Sequence, residues 1–377
     1  AYTSVSTILR IFEKKKALGC RKQGKSHIYI PLLGQEEYQL KQHKYHFFIT
    51  LPEQKGAIKF KFTNGSWETV ETDNAYNQIE NRQYTFNKPN DTVKVEIKNW
   101  NKGKIPHSTA SENVKLFYKA MHIPQLKRKR RIWVYLPPDY ETSQRSYPVL
   151  YLLHGAGDDQ TGWVQFGEVL QIIDKAIKEG YATSMIIVMP DAYTTRLGYF
   201  NDVRGDWNYE DYFFKELMPY VESKYRIKSK KEYRAIAGLS MGGGGSFMYA
   251  LHHPELFASA CPLSAYIGPK SADEMKRSVK RYNNFEVNDA DAKNYFPQHN
   301  ALSLIENMTK EQIESVRWYI DCGDDDFLYE GNSLVHLALR KKGVKHEFRI
   351  RDGGHSWKYW REALPEVLKF VSEGFHR

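Results

Sequence analysis

Ser240, Asp326 and His355 are the side chains whose types and order suit acyl transfer. A serine hydroxyl is a weak nucleophile until a neighbouring base takes its proton and a third group orients that base. Ser240 lies in Gly238-Leu-Ser-Met-Gly242, a pattern that chance alone supplies in roughly one chain in ten of this length. Its context carries more weight. The apolar run 235–237 predicts a buried strand before it, and small residues leading to Phe247, Ala250 and Leu251 predict a helix after it. Glycine two residues either side lets a tight strand-to-helix turn form without collision. The helix start then points backbone N–H groups at negative charge forming on a substrate.

The base expected from this order is His355, in Asp352-Gly-Gly-His-Ser-Trp357 after the predicted strand 345–351. His154 is the alternative base, although its place before a glycine loop suits loop structure better. Four carboxylates compete for the acid in the stretch 321–327. Asp321 reads as the end of a strand, and Asp324 and Asp325 as turn residues bonding their own backbone. Asp326, deeper in the loop beside Phe327 and Leu328, is the expected acid. Two N–H groups must receive the oxyanion. Met241 supplies one directly after the nucleophile, and Ala156 in the loop His154-Gly-Ala-Gly157 supplies the other.

Near-continuous apolar stretches at 147–155, 185–189, 233–237, 257–262 and 316–322 predict strands of a parallel sheet covered on both faces, and 132–136 predicts a further strand. Helical patterns at 169–179, 209–224 and 242–252 lie between them, so residues 113–377 are expected to form a doubly wound α/β domain. Residues 266–309 read as polar and irregular and as a wall of the pocket. Trp163 and Trp357 are candidate contacts for an aromatic acyl group. Trp360, at helical spacing from Trp357, reads equally well as packing for the last helix.

Ahead of this domain, residues 43–102 change to period two, clearest at 58–62 and 93–97, with Asn64-Gly65 as a turn; this predicts a small antiparallel β-sandwich. Trp67 is its candidate sugar-stacking residue. Residues 3–18 carry a helical pattern through Val5, Ile8, Leu9 and Phe12, and a basic hairpin is expected after Gly19, turning at Gln23-Gly24. The basic run 127–131 leads directly into a strand and reads as its solvated start. Residues 102–112 form a polar linker.

The chain of 377 residues is 41% hydrophobic with mean hydropathy −0.63, a globular and soluble composition. No apolar run approaches the roughly 18 residues of a membrane span, and no secretory leader is evident at Ala1. Of the net charge of +10, a surplus of five comes from residues 1–42, which hold eight Lys/Arg against three Asp/Glu. Cys20, Cys261 and Cys322 show no metal-ligand spacing, and the latter two sit in apolar runs as buried thiols. Neither a metal site nor a phosphate loop is expected, and no cofactor.

Three resemblances add to these readings. Residues 1–42, through "AYTSVSTILRIFEKKKALGCRKQGKSHIYIPLL" and "EEY", resemble the recognition helix and wing of penicillinase-repressor-type winged-helix regulators. The first two helices of such a domain have no counterpart, so DNA binding is not expected of the segment. "FKFTNGSWETVET" and "NRQYTF" resemble starch- and glycogen-binding immunoglobulin-fold modules, which implies glycan binding at residues 43–102. Across residues 113–374, "MHIPQLKRKRRIWVYLPPDY", "PVLYLLHGAGDDQTGW", "IIVMPDA", "GLSMGG", "DCGDDDFLYEGN" and "GGHSWKYW" resemble the esterase D-like α/β hydrolases.

That third resemblance implies an α/β-hydrolase fold, Ser240, Asp326 and His355 as nucleophile, acid and base, and Ala156 and Met241 as oxyanion donors. It further implies a polysaccharide-linked feruloyl or acetyl ester as substrate and a periplasmic or secreted location. A siderophore esterase, an acyltransferase, or a DNA-binding regulator with a ligand-sensing hydrolase domain are the alternative expectations. The run Gly242–Gly245 departs from the pattern, since each glycine weakens a helix by up to about 1 kcal/mol relative to alanine.

Overall fold

The computed structural model describes residues 18–23, 26–31, 57–62, 70–73, 79–85, 97–100, 121–123, 128–192, 198–205, 207–283 and 285–376. The chain divides into two units, residues 1–107 and 108–377. In the second unit seven strands form one sheet: β1 (Ile132–Tyr135), β2 (Val149–Leu153), β3 (Ile186–Pro190), β4 (Arg234–Leu239), β5 (Ser259–Leu263), β6 (Arg317–Gly323) and β7 (Glu347–Arg351). Their order is β7-β6-β5-β4-β2-β3-β1, and every pairing is parallel except β3 with β1. All of β2, β3 and β5 is buried, and so is β4 beyond Arg234. Because successive side chains point to opposite faces, unbroken burial means that both faces are covered, which is why these strands read as apolar runs without alternation.

The helices are α1 (Gly162–Gln165), α2 (Val169–Lys178), α3 (Tyr209–Tyr212), α4 (Met218–Lys224), α5 (Met241–His252), α6 (Ala272–Asn283), α7 (Asp289–Gln298), α8 (Ala301–Asn307), α9 (Lys310–Glu314), α10 (Tyr329–Lys341) and α11 (Trp357–Phe375). Helix α11 packs on α2 and against β4, β5 and β6, while α5 packs on β4, β5 and β2 and is joined to α10 through α8. The result is the mixed sheet with flanking helices of an α/β-hydrolase-like fold. From β2 the chain runs outward to β3 and returns past β2 to β4. That reversal opens a crevice at the carboxyl ends of β2 and β4, where loops from both strands meet.

Two expectations are corrected. The helix expected over 209–224 is continuous but contains a π turn at Phe213–Leu217, just before Pro219 in the first turn of α4. Proline has no N–H to return to the preceding turn, so the regular ladder is interrupted there. Residues 266–309 are not irregular: they contain α6, α7 and α8. Side-chain caps begin two of these, with Asn288 accepting from Asp291 N–H at 2.8 Å and Asn300 from Ser303 N–H at 2.9 Å. Such caps satisfy otherwise unpaired helix-start donors.

In the first unit, Leu18–Gln23 and Ser26–Pro31 form the expected antiparallel hairpin, with Gln23 opposite Ser26. Ala57–Phe60 pairs with Arg82–Thr85, and Glu71–Thr72 with Asn99–Trp100. Glu71 is wholly buried; it accepts from Phe62 N–H at 3.0 Å and pairs with Arg82 at 2.8 Å. Of the helix expected over 3–18 only Leu18 is described, and it opens the first strand of the hairpin instead, while of the strand expected at 93–97 only Ile97 is described; the 102–112 linker and Trp67 lie outside the described residues. The basic stretch Arg128–Arg130 pairs with Met121–Ile123, close to the start of β1. Among the described residues, no helix is long and apolar enough to cross a membrane.

Candidate active site

The turn between β4 and α5 is shaped by what its glycines allow. A Cβ on Gly242 would stand 2.5 Å from the Leu153 carbonyl oxygen and 2.6 Å from that of His154, and one on Gly238 would overlap Gly242 itself. Ser240 between them has φ 55° and ψ −114°, outside the regions L-residues favour. Three backbone bonds hold it there: Ser240 N–H donates to Leu263 C=O at 2.9 Å, and Ser240 C=O accepts from Gly244 and Tyr266, each at 3.0 Å. The strain places the hydroxyl outward at the sheet's carboxyl edge.

His355 reaches this hydroxyl from the loop after β7. Its Nε2 lies 2.9 Å from Ser240 Oγ and its Nδ1 lies 2.8 Å from Asp326 Oδ2. A carboxylate only accepts, so Nδ1 carries the proton and Nε2 accepts from the serine. Asp326 is buried, and its other oxygen accepts from Leu328 N–H at 2.8 Å. Burial alone would raise this carboxyl, but hydrogen bonds from His355, Leu328 and Ser264 outweigh it and hold Asp326 below the ordinary carboxylate range.

The competing carboxylates are engaged elsewhere. Asp321, wholly buried in β6, accepts from Arg351 at 3.0 Å, Tyr319 at 2.9 Å and Tyr359 at 2.5 Å. Asp324 is exposed and accepts from the Asp325 and Gly353 amides, each at 3.1 Å. Asp325 is exposed as well; with Asp324 and Asp352 it forms an acidic group whose ligand atoms lie within 4.8 Å of one another. His154 is buried: its Nε2 accepts from Ala192 N–H at 2.9 Å, so its Nδ1 carries the proton and donates to Gly155 C=O at 2.8 Å. With both nitrogens so engaged, His154 holds the loop after β2.

That loop is pressed against the nucleophile. A Cβ on Gly155 would lie 3.5 Å from Ser240 Cβ, and Ala156 follows as an exposed residue. Met241, half-buried, opens α5 on the other side. Trp163 lies under the site rather than on its surface. It is 1% exposed, and its indole N–H donates to Leu153 C=O at 2.9 Å, leaving almost no surface for a bound molecule. Its ring meets Trp357 edge to face at 5.3 Å, and Trp357 is half-buried.

Sequence reasoning did not identify the support behind His355. Trp360 stands edge-on to that imidazole at 4.8 Å, and its N–H donates to Ser264 Oγ at 3.0 Å. Ser264, buried with φ 43°, is in turn among the groups bonded to Asp326. A positive φ at a non-glycine cannot be read from residue type alone. Phe327 is the other unforeseen neighbour, 59% exposed with its ring 4.5 Å from His355.

The family model described as "Putative esterase" matches residues 123–371, and the penicillinase repressor model matches residues 1–50. An esterase of Mycobacterium tuberculosis (strain ATCC 25618 / H37Rv) is 39% identical over 143 residues, 37% of this chain and 29% of its own. An endo-1,4-beta-xylanase/feruloyl esterase of Xylanibacter ruminicola is 29% identical over 243 residues, 63% of this chain and 28% of its own. This chain thus spans under a third of the length of these curated relatives. Among solved structures, a ferulic acid esterase is 35% identical, with a TM-score of 0.62 over 70% of this chain and 99% of that one.

Proposed function

This chain belongs to the esterase family whose model matches residues 123–371, and from that premise we propose that it is a serine carboxylic-ester hydrolase acting on feruloyl or acetyl esters of plant cell-wall polysaccharide. The observation that carries the reading is His355 bridging Ser240 and Asp326 at 2.9 and 2.8 Å. In this mechanism Ser240 Oγ attacks the ester carbonyl as His355 Nε2 takes its proton, and Asp326 stabilises the imidazolium that forms. The Ala156 and Met241 amides receive the oxyanion. His355 then protonates the departing alcohol, and water, activated by the same imidazole, releases the acid from Ser240.

The acyl preference is supported by the feruloyl esterase relatives and by the half-buried Trp357 beside the loop that carries His355. Hydrolysis of p-nitrophenyl acetate and methyl ferulate by wild type and Ser240→Ala tests the proposal. Turnover that falls by several orders of magnitude in the variant is expected; turnover by Ser240→Ala at the wild-type rate would exclude the serine mechanism.

A further inference from the structure

During acylation the Ser240 Oγ–acyl bond forms, the ester C–O bond breaks, and the proton held on His355 Nε2 passes to the leaving oxygen. The alcohol half of the substrate must therefore lie beside His355 when the bond breaks. The imidazole has two aromatic neighbours of opposite character. Trp360 is buried, with its N–H committed to Ser264, whereas Phe327 leaves 59% of its surface to solvent at 4.5 Å from the ring. Phe327 therefore presents an apolar face next to the group that protonates the leaving alcohol.

The charge around it narrows the chemistry. Asp324 and Asp325 directly precede the Asp326-Phe327 pair, and Asp352 lies on the loop leading to His355; all three are exposed, with oxygens within 4.8 Å of one another. Asp325 N–H donates to Gly353 C=O at 3.2 Å, so the two loops are joined next to the base. An anionic alcohol or thiol would be repelled by this rim, while a neutral polyol would be accepted. Apolar C–H faces of a sugar suit an aromatic platform, and its hydroxyls remain in water.

We propose that Phe327 is the platform for the alcohol half of the ester, and that this half is a neutral sugar. The inference rests on the serine-esterase reading and deepens it.

The test compares kcat and KM of wild type, Phe327→Ala and Phe327→Trp on methyl ferulate and on a feruloylated arabinose oligosaccharide. Acetyl esters of the same two alcohols carry the comparison if ferulate is excluded. In Phe327→Ala the ratio of kcat/KM for the sugar ester to that for the methyl ester is expected to fall about tenfold, mainly through KM. Phe327→Trp should restore it. A ratio within about twofold of wild type in Phe327→Ala, or a fall through kcat alone, would overturn the platform. Failure of the underlying reading looks different: no ester is turned over by wild type, or Ser240→Ala is as active as wild type.

Discussion

Asp321 and Arg351 join β6 to β7 through a pair in which the carboxylate is wholly buried and the guanidinium, 3.0 Å away, remains 32% exposed. The Tyr319 and Tyr359 hydroxyls complete the shell of Asp321, so strand and final helix are tied to one charge. Removing the cation leaves that charge uncompensated. Breaking a buried pair costs ~3–5 kcal/mol, and the exposure of Arg351 places Arg351→Met near or below the lower end of that range. Urea unfolding measures it; a change within about 0.5 kcal/mol would mean that the two tyrosines suffice.

Asp326 lies five residues further on and bears a different burden. Asp326→Asn removes the charge that stabilises the imidazolium and offers His355 the wrong tautomer, so kcat should fall by roughly 10⁴. Asp325→Asn, on the exposed rim, should leave kcat on methyl ferulate within an order of magnitude. If Asp325→Asn were the more damaging change, the assignment of the acid would be reversed. The depressed carboxyl of Asp326 also has a linkage consequence. Its contribution to stability is present above the ordinary Asp value near ~3.9 and is lost as pH falls through its lower folded value.

Most of the fold was legible because its central strands are buried on both faces and therefore appear as short apolar runs. The order of Ser240, Asp326 and His355 was legible because the chemistry restricts which residue types can serve. Three features were not. Helices α6 and α7 carry few buried apolar positions, such as Met275 and Ala292, so their period is hidden among charges. The Trp360–Ser264 contact joins residues 96 apart in sequence, and no local pattern announces such a pairing. Trp163 reads in sequence as a candidate acyl contact, but nothing in its own neighbourhood of sequence says that its N–H is spent on the Leu153 carbonyl.

His299 predicts an acid weakness remote from the triad. Burial under the stacked Tyr295 ring at 3.6 Å pushes its imidazole down to about 4, helped by the His252 ring 5.9 Å away and opposed by the Tyr295 carbonyl it bonds and by the Glu210 carboxylate. The unfolded chain takes up this proton near pH 6.5 and the folded chain only near 4, so stability should decline as pH falls between those values, by about 3 kcal/mol in all. His252 does not mask the slope. Burial lowers its value, but bonds to Glu210 and Gln298 outweigh this and raise it, so its contribution is lost only as pH rises above about 6.5. Urea midpoints from pH 7 to 5 for wild type and His299→Gln check this; an equal slope in both would remove His299 from the account.

Gly242 to Gly245 weaken α5 as an isolated helix, yet the packing leaves little choice. A Cβ on Gly243 would approach the Leu263 carbonyl oxygen to 2.7 Å, and one on Gly245 would approach Leu153 Cδ1 to 2.9 Å and the Tyr199 ring to 3.0 Å. At Gly243 the obstacle is backbone, at Gly245 it is side chain. Helix propensity favours alanine at either site by up to about 1 kcal/mol, whereas forcing a methyl into close-packed backbone costs ~1–3 kcal/mol or more. Gly243→Ala should therefore lower stability and reduce turnover by shifting the start of α5 beneath Ser240, while Gly245→Ala, facing movable side chains, should be the milder change. Thermal melts and kcat on p-nitrophenyl acetate for the two variants test this ordering, and a stabilised, fully active Gly243→Ala would show that the strands yield where the distances say they cannot.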